Sequence, residues 1–379
     1  MAINIDDLRR LAMRRLPRAV FDFADGGAED ERTLRANRQD FSKLVFRPRV
    51  LVDVSKRDQT TTILGQQVSS PLIVAPTGLA GMLWPRGEAV AARAAAARNV
   101  IFTLSTLGAC SIEEVAEASS GPLWFQLYVM KDREVTRALV ERARQAGYKA
   151  LCLTVDLPVL GQRERDLRNG ATIPPKITVR NVVDVLRRPG WLRRVWFGPD
   201  ITFQNFVGSS TALTSEMGTL WQYVNSLNDP SVDWDDLAWF RSLWPGPLAI
   251  KGIMTAEDAR RAVSEGIEAI VVSNHGGRQL DSLPSAIEVL TEIVDAVGDR
   301  AEVILDGGVR RGTDVAKALA LGARAVFIGR PALWGLAAAG EEGARHVLEI
   351  LRDEIRLALL LLGCPSPADV GPAHVRARP

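Results

Sequence analysis

From residue 71 onward, short apolar runs alternate with longer, alanine-rich amphipathic stretches. A turn rich in glycine, serine or aspartate separates each run from the stretch that follows, which is typical of parallel βα units. The pattern predicts eight strands, at residues 72–75, 100–104, 123–127, 150–155, 248–251, 269–272, 303–305 and 325–328. Eight parallel strands close a TIM barrel, so we predict an α/β fold of the TIM (β/α)8 barrel type. The alternative, a doubly wound open sheet, carries its glycine-rich phosphate loop after the first strand, whereas the glycines here cluster late.

Two segments lie outside this repeat. Residues 1–70 predict an N-terminal helical segment, with Asp6 as an N-cap and Pro17 as a break, followed by an irregular stretch over the barrel floor. The connection between the fourth and fifth strands runs from residue 157 to 246, which is far longer than a βα loop needs. We expect residues 1–379 to form a single domain that carries both elaborations.

The ends of the predicted strands carry the candidate site. In a TIM barrel, catalytic and binding residues lie at the C-terminal ends of the strands. Glycine, serine and aspartate are common in turns, so their presence at such positions needs no functional explanation. A preference for turns does not account for histidine, lysine, tyrosine and two arginines. The residues at these ends are Pro76, Thr77, Gly78, Ser105, Thr106, Gln126, Tyr128, Thr154, Asp156, Lys251, Ser273, Asn274, His275, Arg278, Asp306, Gly307, Gly308, Gly329 and Arg330.

The last two strand ends predict a phosphate site. Residues 306–312 combine two glycines, Arg310 and the predicted start of a helix. Glycine N–H groups, arginine and helix N-termini all favour anions. Gly329 and Arg330 repeat the combination one strand later. Because TIM barrels often bind a cofactor phosphate after strands seven and eight, position and chemistry agree.

Of the three histidines, only His275 follows a predicted strand. A lone histidine is often structural, but this location favours a general base. Asp156, after the fourth strand, is a candidate to orient the imidazole and to stabilise its charged form. Arg163 and Arg278 are candidates to bind a substrate carboxylate. Lys251 is either a surface residue or a positive charge that stabilises a reduced cofactor ring.

Composition narrows the possible functions. The chain has 47 basic and 45 acidic residues, and this net charge of +2 gives no general argument for binding nucleic acid. The three cysteines lie far apart without metal-ligand spacing, which fits buried thiols in a reducing compartment. The N-terminus lacks the apolar core of a signal peptide, and no apolar run is long enough for a membrane span. We therefore expect a cytoplasmic protein.

The sequence of residues 273–281 resembles that of the FMN-dependent 2-hydroxy-acid oxidases and dehydrogenases, which include glycolate oxidase, L-lactate dehydrogenase and mandelate dehydrogenase. The resemblance covers almost the whole chain, with further motifs at residues 75–78, 124–128, 154–156, 163–166, 306–310 and 328–331. It implies FMN as the cofactor and His275 as the active-site base beside Asp156. It also implies that Arg163 and Arg278 hold the substrate carboxylate.

The same resemblance implies further contacts. Lys251 and Tyr128 would face the flavin and the substrate hydroxyl. With the residues at the strand ends, the candidate cofactor-binding set is Pro76, Thr77, Gly78, Ser105, Gln126, Thr154, Lys251, Ser273, Asp306, Gly307, Gly308, Arg310, Gly329 and Arg330. The candidate substrate-binding set is Phe23, Gly78, Tyr128, Arg163, His275 and Arg278.

Two of these positions bear on substrate and electron acceptor. Phe23 stands where many members have a tyrosine that contacts the carboxylate, and the lost hydroxyl removes a hydrogen bond worth on the order of 1 kcal/mol. Gly78 matches the glycine of mandelate and bacterial lactate dehydrogenases, where several oxidases have alanine. With Trp84 and Pro85, it makes the chain most similar to dehydrogenases that pass electrons to a quinone or another carrier.

Residues 171–199 have a composition that suits an anionic membrane. This segment contains six basic residues, including Lys176, and one acidic residue, Asp184, so its net charge is +5. Trp191, Trp196 and Phe197 lie among them. Basic residues with interfacial aromatics favour the surface of an anionic bilayer, where quinone is found. A solvated active-site lid is the alternative.

We therefore predict FMN-dependent oxidation of L-2-hydroxy acids, mandelate-like or lactate-like, to 2-keto acids. The electrons would pass to a quinone or another carrier. One alternative is an oxidase that uses dioxygen and makes hydrogen peroxide, and another is a flavin-binding barrel without turnover. We expect a homo-oligomer, peripheral on the inner face of the cell membrane, with no metal and no nucleic-acid partner.

Overall fold

The computed structural model describes residues 2–170, 178–206 and 225–378. Its centre is a closed barrel of eight parallel strands in chain order, in which the last strand pairs with the first. The strands are β1 (Leu72–Val74), β2 (Ile101–Ser105), β3 (Leu123–Leu127), β4 (Ala150–Thr154), β5 (Leu248–Ile253), β6 (Ala269–Ser273), β7 (Glu302–Asp306) and β8 (Ala325–Ile328). The predicted TIM barrel is confirmed, and each strand lies within two residues of its predicted bounds.

The barrel interior is packed with side chains. Alternate residues along the strands, such as Ile73, form one buried apolar cluster. Ile63 and Val68 join this cluster from an antiparallel pair of short strands, Thr61–Ile63 and Gln66–Val68. These two strands cover the barrel floor, where an irregular stretch was expected, and the opposite end of the barrel is left for the site.

Helices surround the barrel. They are α1 (Ile5–Arg15), α2 (Arg18–Asp25), α3 (Arg32–Gln39), α4 (Gly87–Ala96), α5 (Ile112–Ala118), α6 (Arg133–Gln145), α7 (Glu164–Arg168), α8 (Val179–Leu186), α9 (Pro189–Trp196), α10 (Leu237–Leu243), α11 (Ala256–Ser264), α12 (Ala286–Val297), α13 (Gly312–Ala320) and α14 (Arg330–Leu362). Pro17 separates α1 from α2, as predicted. The prediction of Asp6 as the first N-cap is wrong, because the Asn4 side chain accepts the backbone N–H of Asp7.

The connection between β4 and β5, residues 157–246, is called the excursion below, and its described part contacts the N-terminal helices. The backbone N–H of Arg18 donates to Asp184 at 2.6 Å, which ties α2 to α8. The Trp191 indole N–H donates to the Met82 carbonyl at 2.8 Å, which anchors α9. Lys176 and the side chain of Trp196 lie outside the described residues. Within the described residues, no helix combines the length and the apolar character needed to cross a membrane.

The three cysteines, Cys110, Cys152 and Cys364, are buried free thiols. Burial raises the pKa of Cys110 and of Cys152 to about 12, and it raises the pKa of Cys364 as well. Each cysteine therefore behaves as a small apolar side chain of the core.

Candidate active site

A cavity opens at the C-terminal ends of the strands, and every strand end contributes to it. α2 and the excursion contribute further walls. The predicted site residues that line the cavity are Phe23, Pro76, Thr77, Gly78, Ser105, Tyr128, Thr154, Arg163, Lys251, His275, Arg278, Asp306, Gly307, Gly308, Arg310, Gly329 and Arg330. Five other predicted residues, Thr106, Gln126, Asp156, Ser273 and Asn274, are not part of this lining. Gln126, Asp156 and Ser273 lie behind it and bond to its members.

His275 and Asp156 form a hydrogen-bonded pair beside the cavity. The two groups meet at 3.0 Å through His275 Nδ1 and Asp156 Oδ1, and the Tyr128 hydroxyl lies 3.4 Å from His275 Nε2. Gly252 makes this arrangement possible. Its backbone is left-handed, with φ of 112°, and a Cβ there would lie 2.6 Å from the Cβ of Asp156. The strand glycine therefore makes room for the carboxylate that holds the imidazole.

Burial and neighbouring charges set the protonation states of His275 and Asp156. Burial lowers the pKa of His275 and outweighs the nearby charge of Asp156, which acts to raise it. Burial alone would raise the pKa of Asp156, but the charges of His275 and Lys251 more than offset it and the pKa is lowered. The imidazole is thus neutral at neutral pH and lies beside an ionised carboxylate.

Lys251 is a buried charge, which excludes the interpretation of a surface lysine. Its Nζ donates to Ser273 Oγ at 2.9 Å and lies 3.0 Å from Asp306 Oδ2. The charges of Asp306 and Asp156 outweigh burial and raise the pKa of Lys251. Ser273 Oγ also donates to Asp306 and accepts the backbone N–H of His275 at 3.0 Å. This network fixes a positive charge close to the His275–Asp156 pair.

Four partly buried arginines, Arg163, Arg278, Arg310 and Arg330, line the same cavity. Burial lowers the pKa of Arg163 and Arg330 to about 9, with a further contribution from the charge of Arg278. Burial likewise lowers the pKa of Arg310 to about 10, and it lowers the pKa of Arg278. Buried positive charges of this kind are stabilised by anions. The cavity is therefore suited to a ligand that brings negative charge to more than one place.

The C-terminal end of α2 holds two of these arginines. Arg278 Nη1 donates to the carbonyls of Phe23 and Gly26 at 2.8 and 2.9 Å. Arg330 donates to the carbonyls of Asp25 and Gly26 at 3.1 and 2.8 Å. Helix C-terminal carbonyls favour cations. Their use as partners orients both guanidinium groups without neutralising them, which preserves their charge for a ligand.

The phosphate prediction needs one correction. The N–H groups at the start of α13 are already used by carboxylates of the chain, because Gly312 N–H donates to Glu354 and the N–H groups of Arg310 and Arg311 donate to Asp314. Gly307 and Gly308 line the cavity in left-handed conformations, with φ of 126° and 79°. An anion at this end of the cavity therefore depends on these glycines and on the arginines.

Several apolar residues of the cavity were not predicted from the sequence. They include Leu107, Leu157, Leu160 and Phe203, and they line the cavity together with Phe23. Leu107 directly follows the polar end of β2, and this position could have identified it as a cavity residue from the sequence. Phe203 lies within the long excursion, where no local pattern marks it.

The polar lining fits FMN. Gln126 Nε2 and Thr154 Oγ1 are buried without a hydrogen-bond partner among the described residues. Buried polar atoms normally have partners, and a flavin ring carries donors and acceptors along one edge. Arg310 and Arg330 provide charge for a phosphate. The fold and the site together define a barrel whose cavity is suited to an anionic, phosphorylated cofactor.

Comparison with known proteins gives the family. The family model described as FMN-dependent dehydrogenase matches residues 12–377. The peroxisomal (S)-2-hydroxy-acid oxidase GLO4 of Oryza sativa subsp. japonica is 46% identical over 99% of this chain and 96% of its own length. The crystal structure of the monotopic membrane protein (S)-mandelate dehydrogenase is 43% identical, covers 100% of both chains and superposes with a TM-score of 0.93. A mandelate oxidase solved with (S)-4-hydroxymandelic acid is 38% identical, with a TM-score of 0.87 over 100% of this chain and 99% of its own.

The chain therefore belongs to the FMN-dependent dehydrogenase family. It is an FMN-dependent oxidoreductase that acts on 2-hydroxy acids, and the family resemblance seen in the sequence is confirmed.

Proposed function

We propose that the chain oxidises L-2-hydroxy acids of the mandelate or lactate type to 2-keto acids and passes the electrons to a quinone or another carrier. The observation that carries this proposal is the His275–Asp156 pair, with His275 Nε2 beside the Tyr128 hydroxyl in a cavity that also holds Arg163 and Arg278. A proton acceptor serves the oxidation of the hydroxyl-bearing carbon, and a carboxylate-binding pair positions a 2-hydroxy acid for it.

Each side chain has a proposed task. Arg163 and Arg278 bind the substrate carboxylate and so orient the carbon that is oxidised. His275 accepts a substrate proton at Nε2, and Asp156 stabilises the resulting imidazolium through Nδ1. The Tyr128 hydroxyl binds the substrate hydroxyl. Bound FMN supplies the two-electron oxidant, and Lys251 supplies positive charge beside it.

FMN would be held along the remaining strand ends. The proposed ring and ribityl contacts are Pro76, Thr77, Gly78, Ser105, Gln126, Thr154, Lys251, Ser273 and Asp306. The phosphate would be bound by Gly307, Gly308, Arg310, Gly329 and Arg330. Gln126 Nε2 and the Thr154 hydroxyl, which have no hydrogen-bond partner among the described residues, support the first set. The lowered pKa values of Arg310 and Arg330 support the second.

The cavity favours an aromatic substrate. Leu107, Leu157, Leu160 and Phe203 line it in addition to Phe23. Gly78 presents no side chain, and a Cβ there would lie 3.0 Å from the Leu107 carbonyl oxygen. A phenyl ring gains free energy from burial against such a surface, whereas a methyl group gains less. We therefore propose that mandelate-like acids compete well with lactate.

We also propose that α8 and α9 hold the protein at an anionic membrane on the inner face of the cell membrane, where quinone is available. The apolar residues of α8 are exposed to solvent: Val179 at 83%, Val182 at 42%, Val183 at 41% and Leu186 at 63%. Their spacing places them on one helix face. Arg180, Arg187 and Arg193 are exposed nearby, and they favour anionic lipid.

We also propose that the chain forms a single domain and assembles as a homo-oligomer. The N-terminal helices and the excursion both pack on the barrel, which supports a single domain of residues 1–379. An exposed apolar patch formed by Val50, Leu51, Leu357 and Leu361 supports a homo-oligomer. Backbone pairing of Arg49 with Leu362 places the two parts of this patch side by side.

Anaerobic reduction tests the proposed function. The purified protein is mixed with a panel of L-2-hydroxy acids and the flavin absorbance is followed, and the reduced protein is then exposed to dioxygen or to a quinone. We expect rapid reduction by (S)-mandelate and faster reoxidation by the quinone. In His275→Gln we expect substrate binding to persist and reduction to slow by at least about a hundredfold. Near-normal reduction in this variant would exclude His275 as the base, and faster reoxidation by dioxygen would assign an oxidase.

A further inference from the structure

The Gln279 side chain turns away from the cavity, although its neighbours His275 and Arg278 line it. It is buried, with 7% of its surface exposed, against the loop of residues 156–163 that follows β4. We propose that Gln279 is a positioning residue that clasps this loop to the loop after β6. The inference rests on the proposed roles of Asp156 and Arg163, which lie at the two ends of the clasped loop.

All hydrogen-bonding positions of the Gln279 amide are used. Nε2 donates to the carbonyls of Asp156 and Val159 at 3.1 and 2.9 Å. Oε1 accepts the Gly161 N–H at 3.2 Å and lies 3.4 Å from Arg163 Nη2. An amide has two donor hydrogens and two acceptor lone pairs, so this site uses its full capacity. Because backbone carbonyls only accept, the amide has a single usable orientation.

The backbones of the two loops also meet closely. A Cβ on Gly161 would lie 2.5 Å from the carbonyl oxygen of Gln279 and 2.6 Å from that of Arg278. Arg163 Nε is 3.4 Å from the same Arg278 carbonyl. Only glycine fits this approach, and it brings the loops into the register that the amide then fixes.

The proposed site contains a proton-accepting pair and a carboxylate-binding pair, and each pair has one member on each of these two loops. The loop after β4 carries Asp156 and Arg163, and the loop after β6 carries their partners His275 and Arg278. Loosening the clasp would therefore misplace the carboxylate-binding pair and the proton-accepting pair together. A purely structural residue would lower stability without this joint effect.

The test compares Gln279→Met with Gln59→Met. Gln59 is a matched control because its amide also donates to a backbone carbonyl, that of Arg352, in a helix far along the chain from both loops. Steady-state rates are measured with (S)-mandelate and with its methyl ester, which lacks the negative charge. In Gln279→Met we expect the KM for mandelate to rise about tenfold and that for the ester to change less than about twofold, because the ester does not need the arginine pair.

The pH profile gives a second readout. The acid limb of kcat/KM should move to lower pH in Gln279→Met, because Asp156 no longer raises the pKa of His275 as effectively. Gly161→Ala disturbs the same contact from the opposite loop and should reproduce both changes, even if Gln279→Met fails to fold. An unchanged acid-to-ester ratio and an unchanged limb, with only a lower Tm, would overturn the proposal. A wild-type protein that does not reduce its flavin with any hydroxy acid would instead refute the proposed function.

Discussion

At the scale of single residues, the segment 273–281 divides its tasks between the cavity and the scaffold. Asn274 exchanges hydrogen bonds with Asn37 of α3 at 2.8 and 2.9 Å. Asp281 accepts the backbone N–H groups of Arg32 and Thr33, which caps the same helix. The residues between them present the proposed base and a proposed carboxylate ligand. A single short segment thus determines where α3 packs and where the reacting groups lie.

The acid limb of kcat/KM should report His275 in the free enzyme. The base must be neutral, so activity falls as pH drops through its pKa, which burial holds below the usual value near 6.5. In Asp156→Asn the carboxylate that raises this pKa is gone. We expect the limb to move to lower pH and the maximal rate to fall, as measured from rate profiles between pH 4 and 8. A limb that moved to higher pH would contradict this account of the pair.

Substrate size should depend on Gly78. Its alanine variant pushes a methyl group towards Leu107, which lines the cavity, and such insertions commonly cost about 1 to 3 kcal/mol. We expect Gly78→Ala to lower kcat/KM for mandelate far more than for lactate. The control is Phe23→Tyr, which adds a hydroxyl beside Arg278 and should help both acids equally. Equal losses for both acids in Gly78→Ala would favour short aliphatic substrates.

The sequence indicated polar site residues better than apolar ones. His275, Lys251 and the arginines stand out because charged residues seldom follow buried strands. Leu107 and Phe203 look like ordinary core residues, since apolarity does not reveal whether a side chain faces a core or a cavity. Gly252 carried a weak signal, because a glycine at a strand end has many explanations.

At the scale of elements, the strands were predictable because parallel strands are buried on both faces and form nearly continuous apolar runs. The correction at α13 has the opposite cause. Glu354, which occupies the first N–H of that helix, comes from α14 and is distant in sequence. The composition of residues 171–199 suggested outward-facing aromatics, but Trp191 bonds to Met82 and anchors α9. Composition indicates an interface without giving the direction of each side chain.

The exposed face of α8 leads to a test of membrane binding. We expect Val183→Glu/Leu186→Glu to abolish salt-sensitive co-sedimentation with vesicles that contain phosphatidylglycerol, because the change places negative charge on the apolar face. Ile3→Glu is the control, since Ile3 is 78% exposed but lies outside the excursion. Turnover with a soluble acceptor should persist in both variants. Unchanged co-sedimentation of the α8 variant would contradict membrane binding and favour the alternative, in which residues 171–199 form an active-site lid.

At the scale of the whole molecule, the end of α2 joins the proposed substrate and phosphate sites, because its carbonyls hold both Arg278 and Arg330. The four partly buried arginines of the cavity destabilise the folded protein without cofactor, and we expect FMN to offset this effect. We expect purified protein to contain noncovalent FMN, and its removal to lower Tm. Ligand at a hundred times its Kd contributes about 2.7 kcal/mol.

Riboflavin is the control for this prediction, because it lacks the phosphate. We expect FMN to restore Tm and riboflavin to restore much less of it. In Arg330→Met, the difference between the two ligands should shrink. If both compounds stabilised the unaltered protein equally, the proposal that the arginines bind the FMN phosphate would be wrong.

The buried cysteines determine how the protein should be handled. Air oxidation and alkylation of cysteine proceed through the thiolate. Because burial raises the pKa of Cys110 and Cys152 to about 12, almost no thiolate forms near neutral pH. The folded chain should therefore resist iodoacetamide and need no reducing agent during purification or storage. Its shelf life then depends on retention of the yellow cofactor, and fading colour becomes the simplest measure of ageing.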